Sequence, residues 1–118
     1  MFRRIQQRGV RRLVIDAIGD LASAATDSQR LHDYLYALVQ HFAVSTVTSV
    51  LNFETMGNSI SGDGIQNAMS YLSDNVLLLT LDGDERTRRA LRVIKTRGSA
   101  HDTRVHEVEI TDGGLRVL

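Results

Sequence analysis

A chain of 118 residues with 42% apolar and 24% charged side chains has material for one small domain with a packed core, which excludes disorder. Acids and bases cancel at 14 each, so no overall field draws the chain to nucleic acid or an anionic membrane. Cysteine is absent, which excludes disulfides and thiolate chemistry and fits a cytoplasmic setting; no apolar run approaches a membrane span, and the polar N-terminus lacks the apolar stretch of a signal peptide.

Residues 2–8 read as the tail of a helix that Gly9 ends. Leu13-Val14-Ile15-Asp16, an apolar run closed by an acid, reads as a buried strand. A helix follows, capped by Asp27 or Ser28. Leu31, Leu35, Leu38 and Phe42, with Tyr34 alongside, form its apolar stripe, and Arg30, Asp33 and Gln40 lie off it. Ser45 to Leu51, rich in Thr and Val, is expected to be the next strand, which makes a parallel βαβ unit. Asn58 to Gly64 reads as a Gly/Ser loop. Ile65 to Leu72 reads as a short helix with Ile65, Met69 and Leu72 on one side, and Val76 to Leu81 as another buried strand.

The pattern then changes. Asp82-Gly83-Asp84 signals a turn. Thr87 to Arg97 alternates, with Arg89, Leu91, Val93, Lys95 and Arg97 expected on one face and Arg88, Ala90, Arg92, Ile94 and Thr96 on the other. Lys95 is the one lysine among 14 basic residues, the rest being arginine. Val105 to Ile110 alternates again, and Asp112-Gly113-Gly114 turns it into Leu115 to Leu118, a second hairpin.

Three stretches, in order and spacing, resemble the KaiC family of RecA-type ATPases. Arg12-Leu13-Val14-Ile15-Asp16 resembles a Walker B strand. Ser73-Asp74-Asn75-Val76-Leu77-Leu78-Leu79 is similar to a second family strand. The most specific is Ile94-Lys95-Thr96-Arg97-Gly98-Ser99-Ala100-His101-Asp102, followed by Ile110-Thr111-Asp112-Gly113-Gly114-Leu115. The likeness covers the chain from about residue 2 to 118. One departure is plain: no G-x-x-x-x-G-K-[ST] occurs, and the glycine-rich Gly57 to Gly64 has no lysine after it and follows the Walker B strand rather than preceding it. The family's catalytic glutamates also precede that strand. The family's layout therefore implies a truncated gene product, a segment cut from a longer chain, or one half of a split domain.

The resemblance assigns roles residue by residue, and each has a plainer rival. It makes Asp16 the acid that orients a Mg²⁺-bound water; the rival is an acid capping a loop. Asn52 and Glu54 stand where the family shows a Thr and a Glu that sense phosphate or position water; the rival is a loop start. Lys95 and Arg97 would reach a neighbouring subunit's ATP as arginine fingers do, with Ser99, His101 and Asp102 along the same nucleotide; the rival is a solvated strand end. His32 and His41 read as surface residues, and no zinc-type cluster involves His106. Arg86, Arg88, Arg89 and Arg92 on the hairpin read as edge protection rather than a nucleic-acid patch.

The expected fold is α/β, a partial RecA-like P-loop NTPase fold with a parallel βαβ start and antiparallel C-terminal hairpins, in a single domain over 1–118. The expected function is a share in a KaiC-like ATPase, with ATP and Mg²⁺ bound only in a complete domain and no cofactor or turnover in the isolated chain. The expected partners are copies of itself (complete relatives form a hexameric ring) or a full-length KaiC-like protein. The alternative is a non-catalytic interaction module. Uncovered strands at Val14, Ile15 and Val47 to Leu51 would drive either assembly.

Overall fold

The computed structural model describes residues 1–19, 27–54, 70–83 and 86–118. The loop expected over 58–64, residues 65–69 of the expected short helix, and Asp84 of the expected turn lie outside the described residues. The chain divides into two compact units, Met1–Leu72 and Ser73–Leu118.

The first unit runs α1 (Phe2–Gln7), β1 (Arg12–Ile15), α2 (Ser28–Val44) and β2 (Thr48–Leu51). A single device ends both helices. After α1, Gly9 takes φ +60°, its N–H donates to the Gln6 carbonyl, and the Val10 N–H donates to the Ile5 carbonyl. After α2, Thr46 takes φ 54°, its N–H donates to Ala43, and the Val47 N–H donates to Phe42. Each is a Schellman closure in which the residue beyond the turn packs toward the helix's last core side chain. Val10 packs on the cluster that holds Ile5, and Val47 is buried with Phe42. Thr46 holds a left-handed conformation that a β-branched residue adopts only at a cost of about 1–2 kcal/mol. Residues 45–47 therefore close the helix, and the strand begins at Thr48 rather than at Ser45.

Asp27 caps α2, its carboxylate accepting from the Gln29 N–H at 2.9 Å. Leu31, Leu35, Leu38 and Phe42 form the buried stripe, the last three only 1% exposed. Tyr34 is 45% exposed and is not part of it, because the core takes the narrow i, i+4, i+7 row and leaves the flank in solvent. β1 and β2 pair in parallel, Arg12 opposite Thr48 and Ile15 opposite Leu51. Leu13, Ile15 and Leu51 pack against the core, while Val14 and Val50 point the other way and are 63% and 53% exposed. The strand at 13–16 is thus covered on one face only. Ser70–Leu72 is helical, as expected for the end of that segment, and Leu72 packs on the same core.

The second unit is an antiparallel sheet in the order β3 (Asn75–Asp82), β4 (Arg88–Thr96), β5 (Val105–Thr111) and β6 (Gly114–Val117). Gly83 leaves β3 with φ +130°, and a Cβ there would overlap the Arg86 carbonyl, so only glycine fits. Cross-strand partners share a face. One face therefore collects Leu77, Leu79 and Leu81 with Leu91, Val93, Val108, Ile110, Leu115 and Val117. Its β3 row is 60–65% exposed, so β3 is not the buried strand its composition suggests.

The alternation of β4 does not run unbroken. Leu77 pairs with Val93, but Val76 pairs with Lys95, which leaves Ile94 as the extra residue of a β-bulge. One inserted residue exchanges the faces beyond it. Lys95 therefore joins Val76, Leu78 and Arg92 instead of continuing the Leu91–Val93 row. The arginines also divide, Arg89 on the apolar face and Arg88 and Arg92 on the other, so they form no single patch.

Candidate functional site

Two groups of the candidate residues come together, one in each unit. In the first unit, β1 and β2 end side by side, and each strand's next residue is polar. The Asn52 N–H donates to the Ile15 carbonyl and the Ile18 N–H to the Asn52 carbonyl, both at 2.9 Å, which locks the two strand ends together. The Asn52 side-chain amide then donates to Asp16 Oδ1 at 3.2 Å. Asp16 and Asn52, 36 positions apart, meet at the carboxyl ends of parallel strands, where open α/β sheets bind ligands. Both are exposed, as is Glu54. Asn52 stands at the start of the loop after β2, and its amide occupies one oxygen of the Asp16 carboxylate. Among the described residues no group of three or more His, Cys, Asp or Glu could hold a metal. Magnesium keeps several waters and takes one or two carboxylates plus substrate phosphates. A lone carboxylate such as Asp16 could fill at most one place in such a shell and could not hold the ion alone.

In the second unit, the segment after the bulge is anchored through Lys95, Thr96 and Arg97. The Lys95 ammonium donates to the Ser73 carbonyl at 2.9 Å, half-buried. Arg97 extends the ladder, its N–H donating to the Asp74 carbonyl at 2.8 Å, and its guanidinium meets the Asp74 carboxylate at 3.0 Å. The Thr96 hydroxyl donates to the Ser99 carbonyl at 2.8 Å and lies 3.0 Å from His101 Nδ1. Lys95 and Arg97 are thus held on Ser73 and Asp74, neither of which composition or spacing singles out, while Ser99 and His101 are held by Thr96 between them.

Asp102 is committed elsewhere. Its carboxylate accepts from the Arg104 side chain at 2.7–3.0 Å and from the Arg104 N–H at 2.9 Å, and lies 3.2 Å from His106 Nε2. The Arg104 guanidinium, followed by the Arg104 amide, holds this carboxyl well below the usual carboxylate range. The spacing Asp-x-Arg, an Asx turn closed by an ion pair, is the sequence signal for it. Because the folded group is shifted down, its contribution to stability is fully present above the ordinary aspartate value of about 3.9 and is lost as pH falls through the lower folded value. A carboxyl-carbon NMR titration is expected to show Asp102 still ionised at about pH 3.9, and Arg104→Gln to bring its midpoint back into the ordinary range.

The histidines of α2 also differ from expectation. Both are partly buried, and the His41 ring lies 4.3 Å from Phe2, because α1 packs over that end of α2. The described residues contain no helix long and apolar enough to cross a membrane.

Comparison with known proteins converges on one family. The family model for the KaiC ATPase matches residues 1–118. The circadian clock oscillator protein KaiC of Synechococcus elongatus is 30% identical over 118 residues, 97% of this chain and 22% of that protein. The circadian clock protein KaiC2 of Synechocystis is 27% identical over 115 residues, 97% of this chain and 20% of its own length. The crystal structure of a KaiC-like protein from Pyrococcus horikoshii superposes with a TM-score of 0.81 at 24% identity, covering 99% of this chain and 50% of that one. The chain therefore spans about half of that structure and about a fifth of the two clock proteins. The parallel pair followed by antiparallel hairpins is a part of that RecA-type α/β fold, and the chain belongs to the KaiC family of ATPases.

Proposed function

We propose that these residues supply the C-terminal part of a KaiC-type ATP site, acting with a phosphate-binding loop that their sequence does not contain. Asp16, with one oxygen already satisfied by Asn52, serves the metal side of the site in its own subunit. Lys95 and Arg97 serve the ATP held by a neighbouring subunit. The observation that carries this reading is the anchored turn: Lys95 on the Ser73 carbonyl and Arg97 on Asp74 hold two cations at one strand end before any ligand arrives. Fixed charges aimed where phosphate charge develops need no reorganisation during the reaction. When bound, Mg²⁺-ATP supplies the phosphoryl group and the metal-held water; the chain contributes charge and position.

The test is complementation. A full-length KaiC-like ATPase with its corresponding Lys and Arg replaced by Ala is mixed with this chain. Restored ATP turnover is expected with the wild-type chain and not with the Lys95→Ala, Arg97→Ala chain. No restoration at saturating chain would overturn the contribution in trans, and clear turnover by the chain alone would overturn the need for an external phosphate loop.

A second reading, a non-catalytic module that pairs with its own copies, is favoured by the open sheet face. Leu77, Leu79, Leu81, Ile110 and Leu115 are each about three-fifths exposed on it, and apolar side chains gathered on one exposed face mark interaction surfaces. Sedimentation is expected to show concentration-dependent dimers that Leu79→Lys with Leu81→Lys dissociates. A wild-type chain that stays monomeric at high concentration rules this face out as a self-contact.

A further inference from the structure

We propose that Thr96 is a positioning residue that fixes the His101 ring as a hydrogen-bond acceptor, with the proton on Nδ1 and the lone pair on an outward Nε2. The argument follows one proton. The Thr96 hydroxyl lies 2.8 Å from the Ser99 carbonyl oxygen and 3.0 Å from His101 Nδ1. A carbonyl can only accept, so the single hydroxyl proton goes to Ser99. The hydroxyl oxygen then faces Nδ1 with lone pairs alone, and Nδ1 must carry a hydrogen to bond to it. In the neutral ring this leaves Nε2 without one. The turn cannot relax to the other tautomer without losing one of the two bonds, since Nδ1 and the Ser99 carbonyl would compete as acceptors for the same hydroxyl.

The position of this device is set by the bulge. With Ile94 as the extra residue, Thr96 pairs with Asn75 and falls on the face opposite Lys95. Neighbouring residues of one strand end thus carry opposite chemistry. Lys95 and Arg97 offer only donors and positive charge, and His101 offers a lone pair. A phosphate oxygen has no hydrogen to give to that lone pair, whereas a sugar hydroxyl or an exocyclic amine has. Resting on the nucleotide reading above, this assigns the cations to the phosphates and His101 to the ribose or the base. Thr96 thereby becomes a determinant of nucleoside recognition without touching the ligand.

Long-range proton–nitrogen NMR spectra of the imidazole rings test this directly, His101→Gln identifying the signal. The unprotonated nitrogen is expected at Nε2 in the wild type and in Thr96→Ser, which keeps the hydroxyl. Thr96→Val is expected to move the ring to the Nε2-protonated form that free imidazole side chains favour. A wild-type ring already protonated at Nε2, or one that Thr96→Val leaves unchanged, overturns the role of Thr96, and the wild-type spectrum decides this even if a variant misfolds. No nucleotide enters this measurement, so its failure is separate from that of the nucleotide reading. Adenosine, ATP and inorganic tripolyphosphate are then added in turn to the labelled chain mixed with the full-length KaiC-like ATPase, whose phosphate loop holds the nucleotide that this segment reaches. Displacement of the His101 signal by adenosine and ATP but not by tripolyphosphate supports the assignment to the nucleoside. Displacement by tripolyphosphate overturns that assignment, and silence to all three overturns a nucleotide as the ligand while leaving the tautomer result in place.

Discussion

Phe42→Ala is expected to destabilise the Met1–Leu72 unit by about 3–5 kcal/mol. That is a large share of the roughly 5–15 kcal/mol by which whole domains are stable. Phe42 is 1% exposed at the end of the α2 stripe and is the largest of the fully buried side chains. Its backbone also carries the helix closure, since the Phe42 carbonyl accepts from Val47 at 2.9 Å. Truncation opens a cavity between α2, the Phe2 ring 6.4 Å away and the start of β2. The strained Thr46 turn then has less packing to offset it. Tyr34→Ala on the exposed flank of the same helix is the control, expected to cost no more than about 0.5–1 kcal/mol. Urea unfolding followed by circular dichroism compares them; equal midpoints for the two variants would contradict the assignment of the core to this stripe.

Side-chain spacing made that core legible. Leu31, Leu35, Leu38 and Phe42 repeat at the helical period, and the structure buries all four. Period and composition also located β1 and the four strands of the second unit to within a few residues, because turn residues bound each of them. What spacing could not supply is whatever depends on one inserted residue or on contact across the chain. Ile94 is a β-branched residue in phase with its neighbours, and nothing in an alternating pattern distinguishes a bulge from regular strand. The bulge therefore puts Lys95 on the face opposite to the one its alternation predicts. Strand ends likewise differ from expectation where a cap uses strand-like residues, as Ser45, Thr46 and Val47 do.

The candidate site was legible by resemblance more than by physics. Asp16 and Asn52 meet only because β1 and β2 pair in parallel, register bringing together residues 36 apart. The supports of the second group were hidden for a related reason. Ser73 contributes a carbonyl, which every residue has, and Asp74 acts through its place opposite Arg97 on the paired strand. Asp102 shows the converse case. A family motif places it with the nucleotide residues, while a purely local turn binds its carboxylate to Arg104.

In the mixed assembly proposed above, Arg97→Ala is expected to reduce the restored turnover by about 10³–10⁵-fold, the range that a finger arginine contributes to phosphoryl transfer. The reason lies in what holds Arg97 at rest. Its partner Asp74 sits at 3.0 Å with both side chains roughly two-thirds exposed. Such exposed pairs are worth about 0–1 kcal/mol, so Asp74 aims the guanidinium without competing seriously with a triphosphate. Asp74→Asn, which keeps a hydrogen-bond acceptor but removes the charge, is therefore expected to alter turnover by no more than about tenfold. Arg97→Lys is expected to fall nearer to Ala than to the wild type, because an ammonium cannot reproduce the planar fork that bridges two phosphate oxygens. Single-turnover rates with saturating ATP separate these effects from nucleotide affinity. An Arg97→Ala rate within about tenfold of wild type would leave Arg97 as a structural partner of Asp74 and nothing more. A large loss for Asp74→Asn equal to that for Arg97→Ala would instead make the ion pair itself, rather than its free guanidinium edge, the element on which the neighbouring site depends.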